Sequence, residues 1–204
     1  MSTPISPPSE AIRLEFESAG RLLTPEEFDA VADYDELYRY ELIHGVLVVT
    51  PIPSEGQSDP NDELGLMLRL YGLQHPQGGA LDKTMPERYI RTQESRRLAD
   101  RVVWTGLGRV PDPRADVPTI AIEFVSGRRN WHRDYVEKRL EYALAGVLEY
   151  WVIDRFQRTM TVYCNVPGQS REVVLQSNEI YTTPLLPGFE LSLARLFALA
   201  DDWK

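Results

Sequence analysis

Thr119–Val125 reads TIAIEFV, Asp134–Ala145 reads DYVEKRLEYALA, and Leu148–Asp154 reads LEYWVID. The order of these three runs decides the fold. The first and third are short, β-rich apolar segments of strand length. The middle run has helical spacing, with Val136, Leu140, Ala143 and Leu144 set to pack on a sheet, and Gly146 follows where a helix is capped. Strand, helix, strand in that order predicts an α/β protein with a mixed sheet flanked by helices. Side chains alternate across a strand. Ile120, Ile122 and Phe124 therefore share one face, and Thr119, Ala121, Glu123 and Val125 the other. Glu123 is an acid inside an otherwise apolar strand, and an ionised carboxylate there needs a cation or a metal nearby.

Outward from this centre, Ala99–Thr105 (ADRVVWT) is a second β-rich run, separated from the first by the Gly/Pro-rich GLGRVPDPRADVP. On the other side, Thr159–Cys164 and Arg171–Leu175 read as strands, and PLLPGFELSLARLFALA as a short strand and a terminal helix. Further upstream, Thr24, Pro25 and Glu27 open a helix expected over Pro25–Ala32. YELIHGVLVVT predicts a hairpin turning at His44-Gly45. PIPSEGQSDP reads as a loop, Asp62–Tyr71 as a helix, and Ala80–Lys83 and Arg88–Thr92 as two short strands. Residues 1–20, rich in Pro, Ser and Glu, are expected to be flexible, and 21–204 to form a single domain.

With 204 residues the chain can bury a core without staples, and its 43% hydrophobic and 26% charged residues are ordinary for a globular protein. Its one cysteine, Cys164, cannot form an internal disulfide, which points to a reducing, cytoplasmic setting. No apolar run could span a membrane, and the N-terminus has no export signal. The net charge of −9 opposes non-specific binding to nucleic acid, yet it is unevenly spread. From Arg88 to Arg139 there are 12 Lys/Arg against 7 Asp/Glu, a balance of +5. Arg88, Arg91, Arg128, Arg129 and Arg133 in this segment are candidate phosphate contacts.

The chemistry gathers in the same segment. Asp100 begins a strand that, next to the Glu123 strand, would bring two carboxylates to one end of a sheet. Asp134, Lys138 and Tyr142 form one helical stripe, from which Lys138 can reach Glu123. Two carboxylates and a lysine suit metal-assisted phosphodiester hydrolysis with Mg²⁺ or Mn²⁺. Bland readings stand beside this one: a buried Glu123–Lys138 salt bridge, Asp100 as a turn residue, and Asp134 as an acid at a helix N-terminus. His44 reads as a proton carrier or simply a turn residue.

The runs YELIHG, ADRVVW, IAIEFVS, RDYVEKRLEYALAGVLEYWVID and PLLPGFEL resemble the Uma-two family of endonucleases, within the PD-(D/E)XK restriction-endonuclease-like superfamily. The resemblance spans about Thr24 to Phe197. It implies a restriction-endonuclease-like core and an enzyme hydrolysing phosphodiester bonds, expected in DNA, with homodimers. It places catalytic roles on Asp100, Glu123 and Lys138, and an acidic site residue at Glu41. The metal set is then Asp100, Glu123 and Phe124. Val125 stands where other superfamily members carry the lysine, so Lys138 on the helix takes that role. Ala99, His44 and Val46 depart from the family pattern. The competing reading is a catalytically silent relative that binds nucleic acid or a protein partner.

Overall fold

The computed structural model describes residues 12–127, 132–166, 168 and 170–203. The chain forms two compact units, Met1–Ile52 with Gln93–Ser95, and Pro53–Thr92 with Arg96–Lys204.

In the first unit, β1 (Arg13–Leu14) pairs in parallel with β2 (Asp33–Tyr34). Residues 1–11 lie outside the described residues, and the rest of the stretch expected to be flexible carries β1 and a turn at Phe16–Ser18. Helix α1 (Pro25–Asp29) is shorter than expected but opens as read: Thr24 Oγ1 accepts the Glu27 N–H at 3.1 Å, and Glu27 reaches back to the Thr24 N–H at 2.8 Å. Strands β3 (Tyr38–Ile43) and β4 (Val46–Pro51) form the expected hairpin. Its turn needs positive φ at both central residues, which His44 (48°) and Gly45 (79°) supply. His44 is exposed and its Nδ1 lies 3.4 Å from Glu94, so its place is that of a turn residue.

The second unit begins with α2 (Glu55–Gln74). Much of the segment read as a loop is therefore helix. Ser54 and Gln57 form a capping box at its start. Pro60 lies inside it, where proline costs a hydrogen bond. Burial of Gln57, Pro60, Asn61 and Leu64 on one side of the helix outweighs that loss. The two short strands expected next are one, β5 (Leu81–Arg91). It runs through Pro86, and Glu87 takes a φ of 49°.

Strands β6 (Arg96–Thr105), β7 (Ile120–Phe124), β8 (Glu149–Asp154), β9 (Thr159–Cys164) and β10 (Arg171–Gln176) follow in this unit. They pair in the order β10-β9-β8-β7-β6-β5, parallel only between β7 and β8. Between those two parallel strands lie a π turn over Arg133–Glu137 and α3 (Lys138–Ala145). Gly146 ends α3 at φ 95°, in the left-handed cap its position predicts. A two-stranded pair, β11 (Ile180–Tyr181) with β12 (Leu191–Ser192), leads into α4 (Leu193–Asp201).

The alternation read from TIAIEFV holds. Ile120, Ile122 and Phe124 belong to a core shared with Leu64, Leu68 and Phe197 of α2 and α4. Ala121 and Val125 belong to a second core with Tyr142, Val147 and Tyr150. The face of α3 is a correction. Leu140 and Leu144, expected to pack on the sheet, are 60% and 88% exposed, whereas Lys138 and Tyr142 are buried. The reason lies in Glu123 beneath them. Stranding a buried carboxylate without its partner costs about 3–5 kcal/mol. That is comparable to the roughly 3–6 kcal/mol that burying both leucines would gain, at about 1.5–3 each, and the tyrosine-rich face that turns inward instead buries its own apolar area.

Candidate active site

Glu123 enters the second core from the middle of an apolar strand and is 4% exposed. Its Oε1 accepts from Lys138 Nζ at 2.8 Å and from the Tyr142 hydroxyl at 3.0 Å. Lys138 and Tyr142 are one turn apart on α3, so the helix delivers both donors to one oxygen. The lysine also donates to the Leu98 carbonyl on β6 at 3.1 Å. A second tie fixes the helix over the sheet. The fully buried Arg97 of β6 grips Glu141 with Nε at 2.9 Å and Nη2 at 2.5 Å.

Asp100 stands on the neighbouring strand. The β6–β7 ladder runs as far as Arg101 opposite Ile122. Beyond it the Asp100 side chain substitutes for backbone, its Oδ2 accepting the Phe124 N–H at 2.8 Å. Helix α2 supports the same corner. Asn61 donates to the Asp100 carbonyl at 3.0 Å and accepts from Arg101 Nε at 2.7 Å. Gln57 donates to the Phe124 carbonyl at 3.2 Å.

A third carboxylate joins them. Asp134, read from sequence as an acid serving the helix dipole, is 2% exposed. The π turn carries it inside, where it meets Arg133 Nε at 3.3 Å. Burial raises the Glu123 carboxyl above the ordinary carboxylate range. Lys138 opposes that shift, while Asp100 and Asp134 add to it. Asp134 is raised in the same way, chiefly by burial, with Lys138 and Arg133 pulling it down. The corner thus gathers carboxyl groups out of water, where burial disfavours their charged forms.

The structure brings Asp100, Glu123 and Lys138 together. Glu41 is buried on β3 opposite Val48, in the first unit. Arg133 reaches the cluster through Asp134. Arg88 folds onto the carbonyls of Pro86 and Glu87, and Arg91 donates to the Pro113 carbonyl. Arg128 and Arg129 lie outside the described residues. Gln57 and Asn61 escaped the sequence reading because Pro60 disguised their helix. Tyr142 was signalled by its stripe with Lys138.

The donor set fits a hard divalent cation. Asp100 and Glu123 offer carboxylate oxygens, and Phe124 a main-chain carbonyl with a second lone pair beyond the one Gln57 uses. Among the described residues no three His, Cys, Asp or Glu side chains converge as a metal cluster. Two carboxylates and a carbonyl would suit an ion that keeps several waters.

A mixed sheet with a carboxylate pair at one corner and a lysine from the crossover helix defines a protein of the restriction-endonuclease-like class. Residues 25–194 match the model of the Uma2 family, described as "Putative restriction endonuclease", and the chain belongs to that family. Its fold is similar to that of the crystal structure of "a putative nuclease belonging to DUF820" from Anabaena variabilis ATCC 29413. The TM-score is 0.70 at 19% identity, covering 87% of this chain and 99% of that one. Among curated proteins none matches this chain. Among the described residues no helix is long and apolar enough to cross a membrane.

Proposed function

We propose that this protein is a Mg²⁺- or Mn²⁺-dependent endonuclease that hydrolyses phosphodiester bonds in DNA. The observation that carries the reading is the buried Glu123 carboxylate, 2.8 Å from Lys138 Nζ and next to the strand of Asp100. Asp100, Glu123 and the Phe124 carbonyl would hold the cation. A cation there would supply Lewis acidity, polarising the phosphate and lowering the pKa of the attacking water. The remaining work falls to the chain. Asp100 is oriented by the Phe124 N–H, which its Oδ2 accepts, and by Asn61, which fixes its main chain, so the carboxylate is held in place before a ligand arrives. Tyr142 and Lys138 hold Glu123 in one rotamer. The Lys138 ammonium, anchored on the Leu98 carbonyl, stands ready to offset charge developing on the phosphate or to orient the nucleophilic water. The excess of buried carboxylates favours this over a plain salt bridge, which would need only Glu123 and Lys138.

The test is cleavage of supercoiled plasmid and of single-stranded DNA with Mg²⁺ or Mn²⁺, beside Glu123→Gln. Nicking by the wild type that the variant and EDTA both abolish is expected. Cleavage persisting in Glu123→Gln, or absent from the wild type with either ion, overturns the reading.

A further inference from the structure

Arg155 follows β8 directly, at the carboxyl end of the strand that runs parallel to β7 and Glu123. It is half-buried, and its Nε is shielded from solvent without a hydrogen-bond partner. No carboxylate pairs with it among the described residues; its one contact of note is the Phe156 ring, 4.8 Å from the guanidinium carbon. A guanidinium held this way has surrendered part of its hydration without recovering it from a counter-charge.

The fold makes room for it. A Cβ at Gly56 would lie 1.9 Å from Arg155 Nη1 and 3.0 Å from its Cζ. Gly56 is the second residue of α2, and its neighbour Gln57 donates to the Phe124 carbonyl. Arg155, Gly56, Gln57, Phe124 and Val125 wall one small cavity whose other side is apolar, from Phe197 and Ala200 of α4, so the guanidinium lies on the α2 and α4 side of the sheet, next to the main chain that follows Glu123. The start of a helix repels cations, because its first N–H groups carry partial positive charge. The Phe156 ring is a weak offset to this, and the guanidinium keeps the capacity to donate to an anion. A planar fork of this kind matches a phosphate.

We infer that Arg155, seated in the Gly56 notch, binds a backbone phosphate of the substrate strand beside the Asp100–Glu123–Lys138 corner. The inference rests on the nuclease reading and adds to it a substrate-binding residue from outside the basic Arg88–Arg139 segment. Arg155 holds the strand in register against the carboxylates, and Gly56 is its positioning residue.

The experiment measures binding and cleavage of a short duplex DNA by the wild type, Arg155→Met, Arg155→Lys and Gly56→Ala. Binding is followed in Ca²⁺ across a salt series. Arg155→Met should bind several-fold more weakly, and its log–log salt slope should be shallower by about 0.9, one phosphate contact. Arg155→Lys should recover the slope but not the full cleavage rate, since it restores charge without the fork. Gly56→Ala should resemble Arg155→Met with the arginine still present. It should fold, because alanine suits a helix and the displaced atoms are the far end of a flexible side chain. Melting temperatures near that of the wild type would separate these effects from misfolding. Unchanged binding, slope and cleavage in Arg155→Met, with an active wild type, would overturn the role of Arg155 alone. A wild type that neither binds nor cleaves DNA would overturn both readings.

Discussion

Replacing Lys138 by Met removes the ammonium and keeps a stem of similar length in the same packing. The lysine side chain is 2% exposed and that of Glu123 5%, so the loss is felt in a nearly dry site. Glu123 would keep only the Tyr142 hydroxyl as a donor, with Asp100 and Asp134 still pressing on it. The variant can escape a bare buried charge by protonating Glu123. From an ordinary value of 4.5, that route costs at pH 7 at most about 3.4 kcal/mol, at 1.36 kcal/mol per unit. The wild-type carboxyl is itself raised, so part of this cost is already borne there. Loss of the bond to the Leu98 carbonyl adds about 1 kcal/mol. Lys138→Met should therefore be destabilised by about 1–4 kcal/mol at pH 7, and by about 1–2 at pH 5, where protonation is nearly free. Thermal melts at the two pH values measure this, and cleavage assays with Mn²⁺ titration calorimetry accompany them. The nuclease reading expects cleavage to vanish while Mn²⁺ still binds, because lysine is not a ligand and its removal leaves the corner more negative. Wild-type cleavage by Lys138→Met refutes the role of the ammonium. Mn²⁺ affinity equal to wild type in Lys138→Met, Asp100→Asn and Glu123→Gln alike, with only the melting points lowered, refutes the metal site.

Asp100→Asn should weaken Mn²⁺ binding and lower cleavage by at least the roughly 100-fold that loss of an outer partner alone can cost. It should spare the melting point more than Lys138→Met does, since the amide oxygen can still accept the Phe124 N–H; calorimetry and melts on one preparation check both. A second expectation concerns pH without metal. Glu123 is raised by burial, so the folded chain holds that proton more tightly than the unfolded one, and the resulting stability is present below about 4.5 and lost as pH rises through the folded value. The melting temperature of the wild type should therefore fall more from pH 5 to pH 8 than that of Glu123→Gln, and Mg²⁺ should narrow the gap; parallel curves would remove Glu123 from the account.

The positions of the central strands were legible because period and chemistry agreed. TIAIEFV, LEYWVID and TMTVYC are short runs rich in β-branched and aromatic residues, so β7, β8 and β9 fall where the pattern puts them. The misses cluster where a local rule met tertiary burial. Pro60 and the polar run before it argue against helix, yet Gln57 and Asn61 are buried there because the sheet corner offers them the Phe124 and Asp100 carbonyls. Pro86 split β5 on paper, whereas the chain carries the proline through the strand with Glu87 in a left-handed turn.

The site was legible in its residues and not in its surroundings, and α3 shows why. A hydrophobicity pattern assigns the buried face by counting apolar side chains, which selects Leu140 and Leu144. Glu123 reverses that assignment: a carboxylate committed to the core face of β7 sets a requirement only Lys138 and Tyr142 can meet. The π turn belongs to the same arrangement. The Lys138 N–H bonds the Arg133 carbonyl, five residues back, and this widened turn sets Asp134 inside while Lys138 stays over Glu123. Such turns gather at functional sites because a lone wide turn has weaker bonds than an α-helix and persists when something else holds it. Here the holders are Tyr150, whose hydroxyl donates to the Asp134 carbonyl at 2.8 Å, and Arg97, which clamps Glu141. Three buried carboxylates facing Lys138 and the partly buried Arg133 are unfavourable as mere packing. Their concentration at one sheet corner follows if the missing positive charge arrives with the ligand, as a divalent cation.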